Sequence, residues 1–220
     1  MIQRVKNAAE ECGRYILARL GEKPKSTLAI SGGSSPKPMF EMFARADFDW
    51  SRVDLFWVDE RGVPPDHPQS NFGSARDLWL APGKFPGENI HRIHAELEPH
   101  EAAARYVEEI RTVFGDGIPE FDVIHQGMGP DAHTASLFPG EPLIADRSGI
   151  AAAVWVEKMK QWRITLLPAV LLAARHTAML EAGADKKDAL EMVLHGPEDA
   201  MKYPAQILRG ARDLVWFVEE

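Results

Sequence analysis

A chain of 220 residues is about one and a half times the commonest domain length, which for alternating strands and helices predicts a single domain over residues 1–220. Hydrophobic residues at 45 % and charged residues at 26 % exclude disorder, a collagen-like repeat or a coiled coil as the main organisation. With 25 Lys and Arg against 33 Asp and Glu, the formal charge of −8 repels a phosphodiester backbone and argues against nucleic acid as a partner.

The opening segment MIQRVKNAAEECGRYILARL mixes charged and apolar positions at helical spacing, without the uninterrupted apolar run of a signal peptide, and predicts a helix over residues 5–20. It carries the sole cysteine, Cys12, so neither an intrachain disulfide nor a cysteine-held metal cluster can form, and a reducing compartment is expected. The longest apolar stretches, 149–156 and 166–174, fall short of the roughly 18 to 20 residues that cross a bilayer. A soluble, cytoplasmic protein that does not bind membranes is expected.

Runs rich in β-branched and aromatic residues at 27–31, 53–58, 121–125, 150–156, 163–167, 177–181 and 214–218 predict strands, several too continuously apolar to keep a solvent face. Between them lie helical patterns at 38–46, 72–80, 99–114, 168–174 and 187–194, with breakers such as Gly21, Gly115 and Gly196 beyond some of them. The alternation predicts an α/β fold, a mostly parallel, open, Rossmann-like sheet with helices on both faces, whose ligand site lies outside the carboxyl ends of the strands. The Pro- and Gly-rich stretches 62–70 and 81–89 read as ordered surface loops. His91 and His94 have the spacing of two metal ligands on a helix, but Pro and Gly flank them and no third ligand is evident, so they too read as a surface loop.

Three strand exits carry the chemistry. The first runs through Ser31, Gly32, Gly33, Ser34, Ser35 and Pro36 into a helix. Glycines permit close backbone approach, the serines offer hydroxyls and an N-cap, and a helix start presents free N–H groups, which together make a phosphate cradle. No Gly-Lys-Ser/Thr follows, so it is not a Walker A loop. The second exit ends in Asp59, Glu60 and Arg61, where two carboxylates and a guanidinium stand at a ligand-binding position or form a plain surface ion pair. Ser70 and Asn71 either return hydrogen bonds to that loop or cap the next helix. The third passes through GMGPDAHTASLFPG at 127–140, nearly a dinucleotide fingerprint but without its long helix or distant acid. It supplies His133, just after Asp131, as a candidate base. Lys158, Lys160, Arg163, Lys186 and Lys187 are cations that either neutralise a phosphate in the same crevice or sit solvated on the surface.

These segments resemble the 6-phosphogluconolactonase family in its compact form, which is related to glucosamine-6-phosphate deaminases. The resemblance rests on SGGSSP at 31–36, DERGVPPDHPQSN at 59–71, GMGPDAHTASLFPG at 127–140, RITLLPA at 163–169 and GADKKDAL at 183–190. Arg61 and the ASLFP continuation after the histidine favour the lactonase branch. The chain departs from the family pattern at Ala132, where glycine is usual, at His125 and Gln126, where apolar residues are usual, and at Leu172, where asparagine is usual.

The resemblance implies hydrolysis of 6-phospho-D-glucono-1,5-lactone to 6-phosphogluconate, in the oxidative pentose phosphate pathway, with no cofactor and no metal. It assigns proton transfer to His133, orientation of that ring or of the water to Asp131 or Asp59, and charge stabilisation at the lactone or the phosphate to Arg61. The phosphate is expected on Gly32, Gly33, Ser34 and Ser35, helped by Arg163 and Lys186. Partners are then a small phosphosugar lactone and, for assembly, a monomer or small homo-oligomer. A deaminase or isomerase on the same fold, and a phosphosugar sensor without catalysis, are the rival readings.

Overall fold

The computed structural model describes residues 1–220. Seven strands form a wholly parallel sheet: β1 (Ile2–Val5), β2 (Ser26–Ile30), β3 (Val53–Trp57), β5 (Ile90–His91), β6 (Val123–Gly127), β9 (His176–Glu181) and β10 (Leu214–Glu219). Their spatial order is β1-β10-β9-β6-β2-β3-β5. Every residue of β3 is buried, so both faces of the sheet are covered there, as continuously apolar parallel strands require. On one side Phe56 packs against Tyr106 and Phe114 of helix α4 (Pro99–Phe114). Helix α1 (Ala8–Leu20) packs on β6, β9 and β10 and against α2 (Lys37–Arg45). A Cβ on Gly13 of α1 would lie 2.4 Å from Met42 of α2, so glycine permits that close crossing. The single cysteine, Cys12, lies fully inside the core, and no helix is long and apolar enough to cross a membrane.

Topology locates the site. From β2 the chain builds outward through β3 and β5, then returns by α4 to β6 on the other side of β2. The crevice between the carboxyl ends of β2 and β6 is therefore the switch point at which open parallel sheets bind ligands.

A second, antiparallel sheet, β4 (Asp59–Arg61), β8 (Gln161–Leu166) and β7 (Ala151–Val156), roofs that crevice. Val58 joins the two sheets: its N–H donates to the Ile30 carbonyl of β2, and its own carbonyl accepts from Leu166 N–H of β8, at 2.9 and 2.8 Å. Strands 150–156 and 163–167 thus do not extend the parallel sheet. Only residues 157–160 separate β7 from β8, far too few for a parallel crossover, and Lys160 takes a left-handed conformation, φ +50°, to close the hairpin.

Other boundaries also shift. The helix predicted over 5–20 is α1 but starts at Ala8, after an N-cap Asn7 that accepts from Glu10 N–H at 3.1 Å, and the residues before it form an unpredicted four-residue edge strand, β1. Pairing with β10, not local periodicity, makes residues 2–5 extended. The helix predicted over 72–80 begins one residue earlier as α3 (Asn71–Ala75) and widens into a π-turn at Arg76–Leu80. His91 is not in a surface loop: it is buried on β5, stacked on Phe56, with Nδ1 2.6 Å from Glu109.

Candidate active site

The cradle after β2 is the glycine-rich turn that leads into α2. Gly33 has φ +104°, and a Cβ on Gly32 would fall 2.0 Å from Asn71 Oδ1, so both positions require glycine. None of the serines caps α2, contrary to expectation: its N-cap is Pro36, with no side-chain hydrogen bond. At the start of this nine-residue helix Lys37 N–H donates to the Ser34 carbonyl at 3.3 Å and Pro38 has no N–H, so the backbone donors offered to an anion are those of the Gly32–Ser35 turn, with the positive end of the helix dipole behind them.

Asp59 and Glu60 are not a surface ion pair; both are buried, and they act differently. The Glu60 carboxylate accepts from the N–H groups of Arg61, Asn71 and Phe72 at 2.7–2.8 Å and from Ser70 Oγ at 3.1 Å. It anchors the start of α3 and folds the 62–70 loop back on itself; burial still pushes its pKa up despite those donors. Asp59 accepts from Ser136 Oγ at 2.6 Å, and Asn71 Nδ2 donates to its carbonyl at 2.8 Å. Ser70 does cap α3, through Gly73 N–H, so Ser70 and Asn71 fill both of their alternative roles. Arg61 donates to the Gln69 carbonyl at 2.5 Å and faces Arg163 across the β4–β8 pair.

After β6, a tight turn presents the imidazole. Gly129 N–H donates to the His133 carbonyl and Ala132 N–H to the Gly129 carbonyl, both at 2.9 Å. Ala132 sits at φ +63°, the left-handed region that disfavours a Cβ, which is why the missing glycine matters there. The His133 ring lies across Gly129 so closely that a Cβ there would meet it at 2.1 Å. Its other face stacks on Phe138, centroids 4.2 Å apart, and its Nδ1 lies 2.5 Å from Asp131 Oδ1. Asp131 Oδ2 takes an ion pair from Lys158, whose Nζ lies over the same Phe138 ring. Burial acts to raise the Asp131 pKa, but hydrogen bonds from His133 and Lys158 outweigh it and hold the carboxyl far below the usual range. An ionised Asp131 fixes the proton on Nδ1 and leaves Nε2 as the basic nitrogen.

One cleft gathers these parts. Gly32, Gly33, Ser34, Ser35, Asp59, Arg61, His133, Arg163 and Lys186 all line it; Asp131 stands behind the ring. Arg163 is buried with Nη1 3.9 Å from Asp59 Oδ2. Lys186 lies 3.5 Å from Glu181, whose pKa burial raises to about 7. Of the remaining predicted cations, Lys158 serves Asp131, Lys160 pairs with Glu157 on the surface, and Lys187 does not reach this cleft. Sequence reasoning gave no role to Ser136, which holds Asp59, nor to Gly129, which makes room for the ring; only their presence inside the GMGPDAHTASLFPG motif pointed to them.

The chain matches, over residues 2–216, the family described as glucosamine-6-phosphate isomerases/6-phosphogluconolactonase. It is 37 % identical over 202 residues to a 6-phosphogluconolactonase of Nostoc sp., covering 90 % of this chain and 83 % of that one. It is 34 % identical over 211 residues to the human 6-phosphogluconolactonase, covering 91 % and 80 %. The crystal structure of 6-phosphogluconolactonase from Thermotoga maritima superposes with a TM-score of 0.87 at 29 % identity, over 100 % of this chain and 98 % of that one. A monomeric glucosamine-6-phosphate deaminase, 17 % identical, shares the fold with a TM-score of 0.85. By sequence over nearly its whole length, and by fold, the chain belongs to the family of glucosamine-6-phosphate isomerases and 6-phosphogluconolactonases.

Proposed function

We propose that the protein hydrolyses 6-phospho-D-glucono-1,5-lactone to 6-phospho-D-gluconate, with His133 as general base. The observation that carries this reading is the clamped imidazole: Asp131 holds Nδ1 at 2.5 Å while the ring lines a cleft shared with a glycine-rich cradle and two arginines.

His133 Nε2 takes a proton from a water whose oxygen attacks the lactone carbonyl carbon. Negative charge develops on the carbonyl oxygen, and preorganised cations stabilise it. The ring C–O bond then breaks, and the imidazolium returns the proton to the departing ring oxygen, which becomes the sugar hydroxyl. Asp131 stabilises the transient imidazolium and keeps its orientation. The phosphate rests on the backbone of Gly32, Gly33, Ser34 and Ser35, against the start of α2, with Lys186 and Arg163 balancing its charge. Arg61 and Asp59, held by Ser136 and Asn71, frame the lactone end. Local cations are needed because the chain as a whole, at −8, repels a dianion.

The test is a coupled assay in which glucose-6-phosphate dehydrogenase generates the lactone and formation of 6-phosphogluconate is followed with and without added protein. Acceleration over spontaneous ring opening, with no ammonia released from glucosamine 6-phosphate, is the expected result. Phosphosugar binding without acceleration would make the protein a sensor instead.

A further inference from the structure

The wall of the cleft holds a polar group for which lactone hydrolysis has no assigned use. His125, on β6, is 1 % exposed and lines the cleft beside Ser31. Its strand neighbours are Ile30 and Ala178, an apolar setting in which an imidazole is out of place. Its Nδ1 accepts from Ser31 N–H at 3.4 Å, a long bond shared with the stronger one from that N–H to the His125 carbonyl at 3.1 Å. A ring that accepts at Nδ1 carries its proton on Nε2. That Nε2 is enclosed and has no partner, and the hydroxyl of Ser31, the residue whose N–H meets Nδ1, is in the same condition. Buried polar groups are paired as a rule, so two unpaired donors on one wall of a ligand cleft mark where a ligand acceptor belongs. Burial lowers the His125 pKa to about 3, which keeps the ring an uncharged donor throughout the neutral range.

We propose that His125 is a specificity-determining residue: its Nε2–H, with the Ser31 hydroxyl, donates to a phosphoryl oxygen seated on the Gly32–Gly33 cradle. The choice of substrate, though not the phosphoryl contact itself, rests on the lactonase reading above. A neutral donor of this kind discriminates because it is left buried and unpaired whenever the phosphoryl group is missing. It supplements the cations, which attract any anion, with a contact that requires an oxygen at one place.

Two measurements decide it. In the first, wild type, His125→Leu and His125→Gln are compared on the phosphorylated lactone and on unphosphorylated glucono-1,5-lactone. His125→Leu is expected to raise KM for the phosphorylated substrate about tenfold, with kcat within twofold and the unphosphorylated substrate unaffected. His125→Gln, which keeps an N–H at similar reach, is expected to recover most of the loss. An unchanged preference in His125→Leu, or an equal loss on both substrates, overturns the proposal. In the second, the imidazole nitrogen signals of the wild type are followed by NMR as inorganic phosphate is added. A shift of the His125 Nε2 signal, absent for His91 and His176, is expected, and no shift overturns the proposal even if His125→Leu fails to fold. Should the wild type bind phosphate with that shift yet hydrolyse no lactone, the lactonase reading fails and the His125 contact stands.

Discussion

Arg61 on β4 lies directly opposite Arg163 on β8, so two guanidinium groups leave one face of the small sheet toward the same cleft. Like charges directly opposed across a strand pair are unfavourable. Burial lowers the Arg163 pKa, Asp59 opposes that shift, and the neighbouring Arg61 adds to it. On the proposed function, the phosphate drawn to Arg163 and the negative charge developing at the lactone near Arg61 offset that repulsion.

Replacing Arg163 should therefore separate stability from binding. In Arg163→Met the opposed charge disappears while Asp59 keeps its donors Ser136 and Asn71, so urea unfolding should give a stability within about 1 kcal/mol of wild type. Affinity for 6-phosphogluconate, measured by calorimetry, should fall at least about tenfold, or about 1.4 kcal/mol. Unaltered product affinity would remove the arginine pair from substrate recognition.

The proton-transfer pair gives a second test. His133→Ala should lower kcat by at least about tenfold, and up to the roughly 10²- to 10⁴-fold value of a general base, while product binding largely survives. Asp131→Asn keeps the shape of the clamp but not its charge, and should also lower kcat by more than about tenfold with little change in KM. Wild-type turnover in a folded His133→Ala would exclude the imidazole from the chemistry.

Backbone room around that ring is testable at two neighbouring positions with opposite outcomes. Gly129→Ala places a methyl 2.1 Å from the His133 ring and should depress kcat by displacing it, with the fold intact by circular dichroism. Ala132→Gly relieves a left-handed conformation, φ +63°, and should raise stability by about 0.5–1 kcal/mol with activity maintained or increased. Loss of stability in Ala132→Gly would show that the buried methyl packs more favourably than it strains.

Which of these features were legible in the sequence follows from how local their causes are. Helix 99–114 has the predicted bounds because Pro99 and Gly115 punctuate an amphipathic run, so the signal lies within the segment. The core strands β2, β3, β6, β9 and β10 were legible as runs rich in β-branched and aromatic residues, although β6 lies two residues beyond the predicted 121–125. β1 and β5, of four and two residues, exist only because a partner strand lies beside them. Glu60 reads in the sequence as one of two carboxylates at a ligand-binding strand end or in a surface ion pair and is instead an anchor for α3, through donors eleven and twelve residues away. The convergence of His133, Arg61, Arg163 and Lys186 came from the family resemblance, since no spacing along the chain encodes a meeting of four separate segments. Gly129 and Ser136 lay inside a recognised motif, yet their roles appear only when the ring and Asp59 are placed against them.

Glu181 provides a pH-dependent test of the phosphate end. Its carboxyl is 3 % exposed, and burial raises its pKa from 4.5 to about 7, although Lys186 pulls in the other direction. A raised carboxyl pKa means that the native state favours the protonated form. The associated stability is fully present below about pH 4.5 and is lost as pH rises toward 7. Glutamine cannot ionise, so Glu181→Gln should gain on the wild type across that window, by about 3 kcal/mol at most. Function should move in step. Once ionised, Glu181 draws the charge of Lys186, 3.5 Å away, from the incoming phosphate. The ratio of wild-type KM to variant KM should therefore rise between pH 6 and 8, and taking the ratio cancels the titration of the substrate's own phosphate. A ratio flat across that range would mean that Lys186 meets the phosphate independently of Glu181.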